Sequence, residues 1–275
     1  MDTLTLQQGL FILIGLIGSS VLAGILAGLL GVGGGIVLVP VLFWILALVD
    51  FPADVSMHMA VATSLSTIIF TSISSARSHH RRGNMDTSIL KLWAPGILLG
   101  ALGGGLAAKY VDANALKTIF GVIAVLVAIN MMRKNVIVLR EVLPESKATN
   151  GAISLLTGLF SALMGIGGGT LAVPILSSFS VPIRKAVGTA SAMGFLIAVP
   201  ATLGFIWAGW SVPDRPFGSL GYVNLIGTII ILPFTVGFAP VGASLSNRIS
   251  TVWVKRCFAV FLGITGVRML LTVLG

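Results

Sequence analysis

The chain has 275 residues, 56% hydrophobic and 9% charged, with a formal net charge of +9 and a mean hydropathy of +1.06. Soluble domains carry about a quarter of their residues charged, so this composition cannot cover a soluble surface. The single cysteine, Cys257, excludes an internal disulfide and a cysteine-only metal site. The basic excess is read as loop charge that orients a membrane protein, not as affinity for nucleic acid.

Residues 10–31, 92–108, 118–132, 186–213 and 216–247 carry no charge. Each run approaches or exceeds the roughly 20 residues that span a ~30 Å hydrocarbon core. Barrel strands would alternate over about ten residues, so continuous runs of this length predict helices and an all-α polytopic membrane protein. The first segment, about 9–30, has no basic residue before it, since Arg77 is the first in the chain. It lacks the charged start of a cleaved signal peptide and is expected to remain.

At its end stands GLLGVGGGIVLVP, residues 28–40, and residues 162–174 read ALMGIGGGTLAVP. Aligned as 29–40 against 163–174, seven of the twelve positions are identical, including four glycines and the proline. The segment after the first knot, 35–49, is short for a bilayer crossing, and Pro40 interrupts its helical hydrogen bonding. Helix, glycine break and short helix is the pattern of a discontinuous membrane helix, whose second half begins with free N–H groups and a positive dipole end. Such ends bind anions. A nucleotide-binding loop does not fit, because no strand precedes the glycines and no GK[ST] follows them. Close helix packing is the competing use of small residues.

The third segment, 58–76, repeats hydroxyls at Thr63, Thr67, Thr71 and Ser75, which places them on one helix face. Membrane Ser and Thr often bond only their own preceding carbonyls. His58 opens this segment near Asp50 and Asp54, where it is either solvated at the interface or a proton carrier. The loop RSHHRRGNMD, 77–86, is chiefly an orientation signal, with Arg77 a candidate for drawing anions to a vestibule. In the fourth segment, 89–108, Gly100, Gly103, Gly104 and Gly105 read as packing residues. A fifth segment covers 115–133.

The polar stretch RKNVIVLREVLPESKATN leads to five more segments at about 150–164, 169–180, 185–208, 219–246 and 252–273. AVATSL (60–65) aligns with AVGTAS (186–191), which pairs Thr63 with Thr189 and Ser64 with Ala190. Residues 104–131 match 242–269 at a constant offset of 138. The organisation expected is a first repeat over 1–135, a cytoplasmic linker over 136–148 and a second repeat over 149–275. Five segments per repeat insert the second copy upside down. With ten crossings, the cytoplasmic set is Arg77, Arg81, Arg82, Lys91, Arg133, Lys134, Arg140, Lys147, Arg184, Lys185, Arg248, Lys255 and Arg256. Only Lys109, Lys117, Arg215 and Arg268 fall outside, which is a 13 to 4 division that satisfies the positive-inside rule. Eight crossings, with the second segment of each repeat dipping in and returning, reduce it to 10 to 7. Pairing the first two segments as a re-entrant hairpin leaves the orientation unchanged, so charge counting does not choose between hairpins and full crossings.

No Asp, Glu, Lys or Arg lies centrally in a predicted span, which favours an anionic or neutral substrate held by backbone and hydroxyl donors. No serine-nucleophile motif, HExxH or intramembrane carboxylate pair occurs, so no enzyme, cofactor or metal is expected. The candidate cradle is Gly33, Gly34, Gly35 and Thr63 with Gly167, Gly168, Gly169 and Thr189.

The twin GxGGGxxxVP motifs, ATSL at 62–65, HHRRGN at 79–84 and the two-half layout resemble the sulfite exporter TauE/SafE family, also called the 4-toluene sulfonate uptake permease family. The resemblance implies a prokaryotic inner-membrane carrier for sulfite, sulfonates or similar small anions, with ion-gradient coupling. It places the family's glycine motifs on Gly31, Gly33, Gly34 and Gly35 and on Gly165, Gly167, Gly168 and Gly169. The hydroxyl motif falls on Thr63 and Ser64, and the second copy keeps only Thr189 with Ser191. An alternating-access transporter is the leading expectation, with small anion, lipid and a coupled proton or other ion as partners. An anion channel or a sensor-like anion-binding protein is the alternative.

Overall fold

The structure is a computed structural model that describes residues 6–49, 51–133, 140–213, 215–246 and 251–274. Asp50, Lys134, Arg248, linker residues 136–139 and the side chain of Lys255 lie outside the described residues. The helices are α1 (Leu6–Leu30), α2 (Gly35–Leu48), α3 (Ala53–Arg81), α4 (Thr87–Ala107), α5 (Ala113–Met132), α6 (Lys147–Met164), α7 (Gly169–Ser178), α8 (Ile183–Ala208), α9 (Leu225–Leu245) and α10 (Thr251–Leu274). Seven of the described helices are long and apolar enough to cross a membrane. Helix starts follow local capping chemistry: Asp86 accepts the Ser88 and Ile89 amides, Asp112 that of Ala115, Ser146 that of Thr149, and Asn224 that of Gly227.

Two segment boundaries differ from expectation. Helix α3 extends from Ala53 to Arg81, well past 58–76, because the polar ends that hydropathy discards are still helical. The apolar run at 219–246 does not begin as helix. Ser219–Leu220 (β1) and Val223–Asn224 (β2) pair as a small antiparallel hairpin, and Gly218 and Gly221 take φ of 78° and 57°. An uncharged run conceals such a turn, since hydropathy reports burial and not backbone shape.

Helix directions follow from side-chain contacts. Ser66 bonds Thr228 and Ser74 bonds the Val236 carbonyl, so α3 and α9 run in parallel. Gly24 lies against Thr235 and Gly28 against Ala239, so α1 runs with them. Gly96 meets Ser154, Gly104 meets Leu159, and Gly105 meets Ala201, which aligns α4, α6 and α8. Helix α3 starts beside Ala108 and Val111, whereas α8 starts beside Asn84, so the two trios point in opposite directions. Helices α3 and α8 form the centre: 72% and 61% of their apolar windows are buried, against 28% for α9. The outer helices turn side chains such as Phe11, Leu99, Ile229 and Leu271 outward, as a lipid-facing surface requires.

The chain turns back at both knots. Helices α2 and α7 have 14 and 10 residues, about 21 and 15 Å of helix, which is short of a ~30 Å core. Gly34 rests against Ala23, two turns upstream in α1, and α2 then runs antiparallel to α3, with Gly35 beside Ser64 and Ile68. Gly168 rests against Ala190 and Met193, and α7 runs back toward the start of α8. The first two segments of each repeat thus pair as antiparallel arms, and α1, unlike α2 and α7, is long enough to cross.

The helix ends sort the charge. Arg77, Arg81, Arg82, Lys91, Arg133, Lys147, Arg184, Lys185 and Arg256 lie at or near helix ends that share the end of the bundle holding residues 82–86. The four cations at the opposite end are each engaged locally. Lys109 stands 4.8 Å over Trp207, Lys117 5.2 Å over Phe43 and Arg268 4.6 Å over Trp44, and Arg215 donates to the Gly209 carbonyl at 3.0 Å.

Small residues set the helix spacing. A Cβ on Gly100 would collide with the Leu155 carbonyl and one on Gly242 with the Ile25 carbonyl, whereas Gly103 is exposed with only Leu159 Cδ1 at 4.0 Å. Gly100, Gly104 and Gly105 are therefore packing glycines, and Gly103 is not. Gly100→Leu and Gly242→Leu are predicted to cost about 1–3 kcal/mol or more by overpacking. Gly103→Leu should stay within about 0.5 kcal/mol of wild type. Thermal unfolding in detergent checks both.

Candidate functional site

Each knot interrupts backbone hydrogen bonding inside apolar surroundings, where unpaired polar groups cost several kcal/mol. In the first, Gly31, Gly33 and Gly34 take φ of 70°, 72° and 81°, conformations that glycine adopts without strain. In the second only Gly165 is left-handed, at 68°. The copies match in sequence more closely than in backbone.

The two knots lie directly on one another. The Gly31 carbonyl faces Gly169, Gly33 faces Gly167, and the Gly165 carbonyl faces Gly35. A Cβ on Gly33 would meet the Gly167 Cα at 2.9 Å, and the Gly167 amide donates to the Val32 carbonyl at 3.1 Å. The segments thus cross antiparallel at Gly33 and Gly167. Helices α2 and α7 both begin at this crossing. The Val37 and Leu38 amides return to the Gly34 carbonyl and the Ala172 amide to the Gly168 carbonyl. The amides of Gly35, Ile36, Gly169, Thr170 and Leu171 therefore precede the first intrahelical bond, and a positive helix end lies at each end of the crossing.

Of the candidate residues, the crossing assembles Gly33, Gly35, Gly167, Gly169 and Ser64. The Ser64 hydroxyl donates to the Gly165 carbonyl at 2.8 Å, a bond that Ala190 in the other repeat has no hydroxyl to match. Gly34 and Gly168 instead pack away, on α1 and α8. Ser191 donates to Val187 in its own helix. Thr63 Oγ1 accepts the Asn224 amide at 3.0 Å, and Thr189 Oγ1 accepts the Asp86 amide at 2.9 Å. Asp86 and Asn224 occupy equivalent places in the repeat, so each threonine clasps the capping residue of the other half's helix. The two clasps lie on opposite flanks of the crossing. Of the periodic hydroxyls, Thr67 and Thr71 bond only within α3, while Ser75 reaches the Ala27 carbonyl at the end of α1.

His58 is buried at one mouth of the bundle. Its Nε2 faces the Ala108 and Val111 carbonyls at 3.1 and 2.8 Å, and its ring stacks on Tyr222 at 4.7 Å. Burial, with Asp54 adding to it, pushes the Tyr222 phenol above its ordinary value, so the ring stays neutral there. Arg77 is exposed and does not line the cleft at the other mouth.

Two features were not legible in the sequence. Thr170 lies in the first turn of α7, 2% exposed, and its hydroxyl has no hydrogen-bond partner. Its signal was the one polar residue in the second motif, GGGT against GGGI. The other is the reach of Asp86 and Asn224 across the repeats, which no local pattern encodes.

The sulfite exporter TauE/SafE family model matches residues 16–269. The chain belongs to that family. TauE/SafE relatives include a "probable membrane transporter protein" of Haemophilus influenzae, 34% identical over 91% of this chain and 95% of the relative. Proteins of the same description from Methanocaldococcus jannaschii and Bacillus subtilis are 27% and 25% identical, over 91% and 88% of this chain and 92% of each relative. No solved structure matches the chain. Like these TauE/SafE relatives it is a multi-pass membrane transporter protein.

Ser64→Ala is predicted to cost about 1 kcal/mol by removing the bond to Gly165. Thr170→Val should be neutral or stabilising, since it removes a buried hydroxyl that satisfies nothing. Chemical or thermal unfolding of the detergent-solubilised protein measures both, and equal effects would contradict the assignment.

Proposed function

We propose that this protein is an alternating-access secondary transporter that moves a small sulfur-containing or organic anion, such as sulfite or a sulfonate, driven by an ion gradient. The observation that carries the reading is the antiparallel crossing of the two glycine knots, with the first turns of α2 and α7 directed into it. Two positive helix ends and a partnerless Thr170 hydroxyl supply donors suited to an oxyanion in a low-dielectric interior. The backbone amides at Gly35 and Gly169 are the proposed core of the cradle, with Gly33 and Gly167 allowing the approach. In this reading Ser64 holds the knot's shape, and Thr63 and Thr189 act as clasps that part in turn when the halves rock. The opposed trios α1, α3, α9 and α4, α6, α8 support two repeats of inverted topology.

The charge-rich end at residues 82–86 is proposed to face the cytoplasm of a prokaryotic cell, under the positive-inside rule. Purified protein in liposomes should show saturable sulfite flux that responds to an imposed proton or sodium gradient. Flux that never saturates and ignores both gradients would instead indicate a channel. Gly167→Val, which drives a side chain into the Val32 carbonyl at the crossing, should abolish transport in protein that still reaches the membrane.

A further inference from the structure

Beyond the crossing, one mouth of the bundle holds a shallow open cleft lined by Leu29, Leu30, His79, Asn84, Arg184 and Val187 among others. Its inner wall adjoins the glycine crossing, because Leu29 and Leu30 are the last residues of α1 and the Val187 carbonyl lies against Gly31. His79 is 1% exposed. Its Nε2 stands 2.7 Å from the Gly28 carbonyl, which can only accept, so Nε2 carries the hydrogen. Nδ1 is buried without a partner. Such an orphaned nitrogen on a residue that lines a largely apolar cleft calls for an explanation.

The surroundings point to an anion. Facing His79 are Arg82 from its own helix end and Arg184 from α8. Helix α1 brings Leu29 and Leu30, the 82–86 loop brings Asn84, and α9 brings Ser246, none of which titrates. Among the described residues no carboxylate lines the cleft. Ser75 and His79, one turn apart on α3, donate to the terminal Ala27 and Gly28 carbonyls of α1. Those carbonyls form the negative end of the helix dipole.

We propose that this cleft is an anion-binding vestibule, in which an oxyanion docks on Arg184 while His79 takes up one proton from solvent at Nδ1 and donates it as a hydrogen bond to the anion. The site deepens the transport reading, which it rests on for its purpose, by placing proton uptake and anion capture at the same mouth. The apolar walls Leu29, Leu30 and Val187 lower the local dielectric and strengthen both contacts.

The test uses sulfate and methanesulfonate, whose own charge does not change between about pH 6 and pH 8, where an imidazole titrates. Binding to the full chain in detergent is measured by calorimetry at both ends of that range. Wild type should bind more tightly at the acid end. Arg184→Gln, an exposed change with little risk to folding, should weaken binding roughly tenfold or more at both, the worth of a lost charge-assisted hydrogen bond. His79→Gln keeps a donor for Gly28 and should erase the pH difference. Wild-type binding that is pH-independent, or unchanged in both variants, overturns the proposal, as does no binding of either anion. Should the cleft bind as described while liposomes show no flux, the vestibule stands and the transport reading falls. Flux with unaltered binding in the variants gives the converse.

Discussion

The structure depends on a constraint of the bilayer: a backbone broken inside it must find its hydrogen-bond partners in protein. Two broken helices meet that constraint here by satisfying one another. The Val32 carbonyl takes the Gly167 amide, and the Gly165 carbonyl takes the Ser64 hydroxyl. Such an approach requires main chain against main chain, and side chains at Gly33, Gly35, Gly167 or Gly169 would block it. The glycines of the crossing are therefore packing residues. The same contact that lets the breaks exist also sets the start of both short helices beside it.

Everything placed around the crossing repeats the exchange between halves. Helix α1 packs on α9 and α6 on α4, and each capping residue of α4 and α9 is held by a threonine from the other repeat. The short helices α2 and α7 rest chiefly on α3 and α8 of their own halves. The threonine clasps and the glycine seams are thus contacts between halves, and any relative motion of the halves must be taken up there. Gly24, Gly28, Gly96 and Gly100 leave carbonyls and small atoms at those seams with few interlocking side chains. Seams of that kind pack tightly without interdigitated side chains.

Much of this was legible in the sequence. Uncharged runs located the long helices, the GxGGG copies located both breaks, and the charges located one end of the bundle. What escaped was shape within uniform hydropathy. The hairpin at 219–224 and the fold-back of α2 change no residue's polarity, only its dihedral angles and neighbours. The hydroxyls show a second limit. Thr63, Thr67 and Ser64 share a segment and a chemistry, but Thr63 clasps Asn224, Thr67 bonds within its helix and Ser64 crosses to Gly165. A four-residue period gives the face of a helix, and only tertiary structure gives what that face meets.

The two mouths make a final comparison possible, because the repeat relates their parts. At the 138-residue offset, Asn84 corresponds to Tyr222 and Ala108 to Ser246. At one mouth those positions are filled: Tyr222 stacks on His58, whose Nε2 reaches the Ala108 carbonyl. At the other, Asn84 and Ser246 border the open cleft beside His79. One scaffold therefore shows its two ends in different conditions, plugged by an aromatic pair and cleft. Under the proposed alternating access, such inequality marks a state open to one side. Under the transport reading, opening the plugged end requires His58 to leave two carbonyls and the Tyr222 ring together. That cost falls on side chains of the mouth and leaves the glycine crossing intact as the fixed point between the ends.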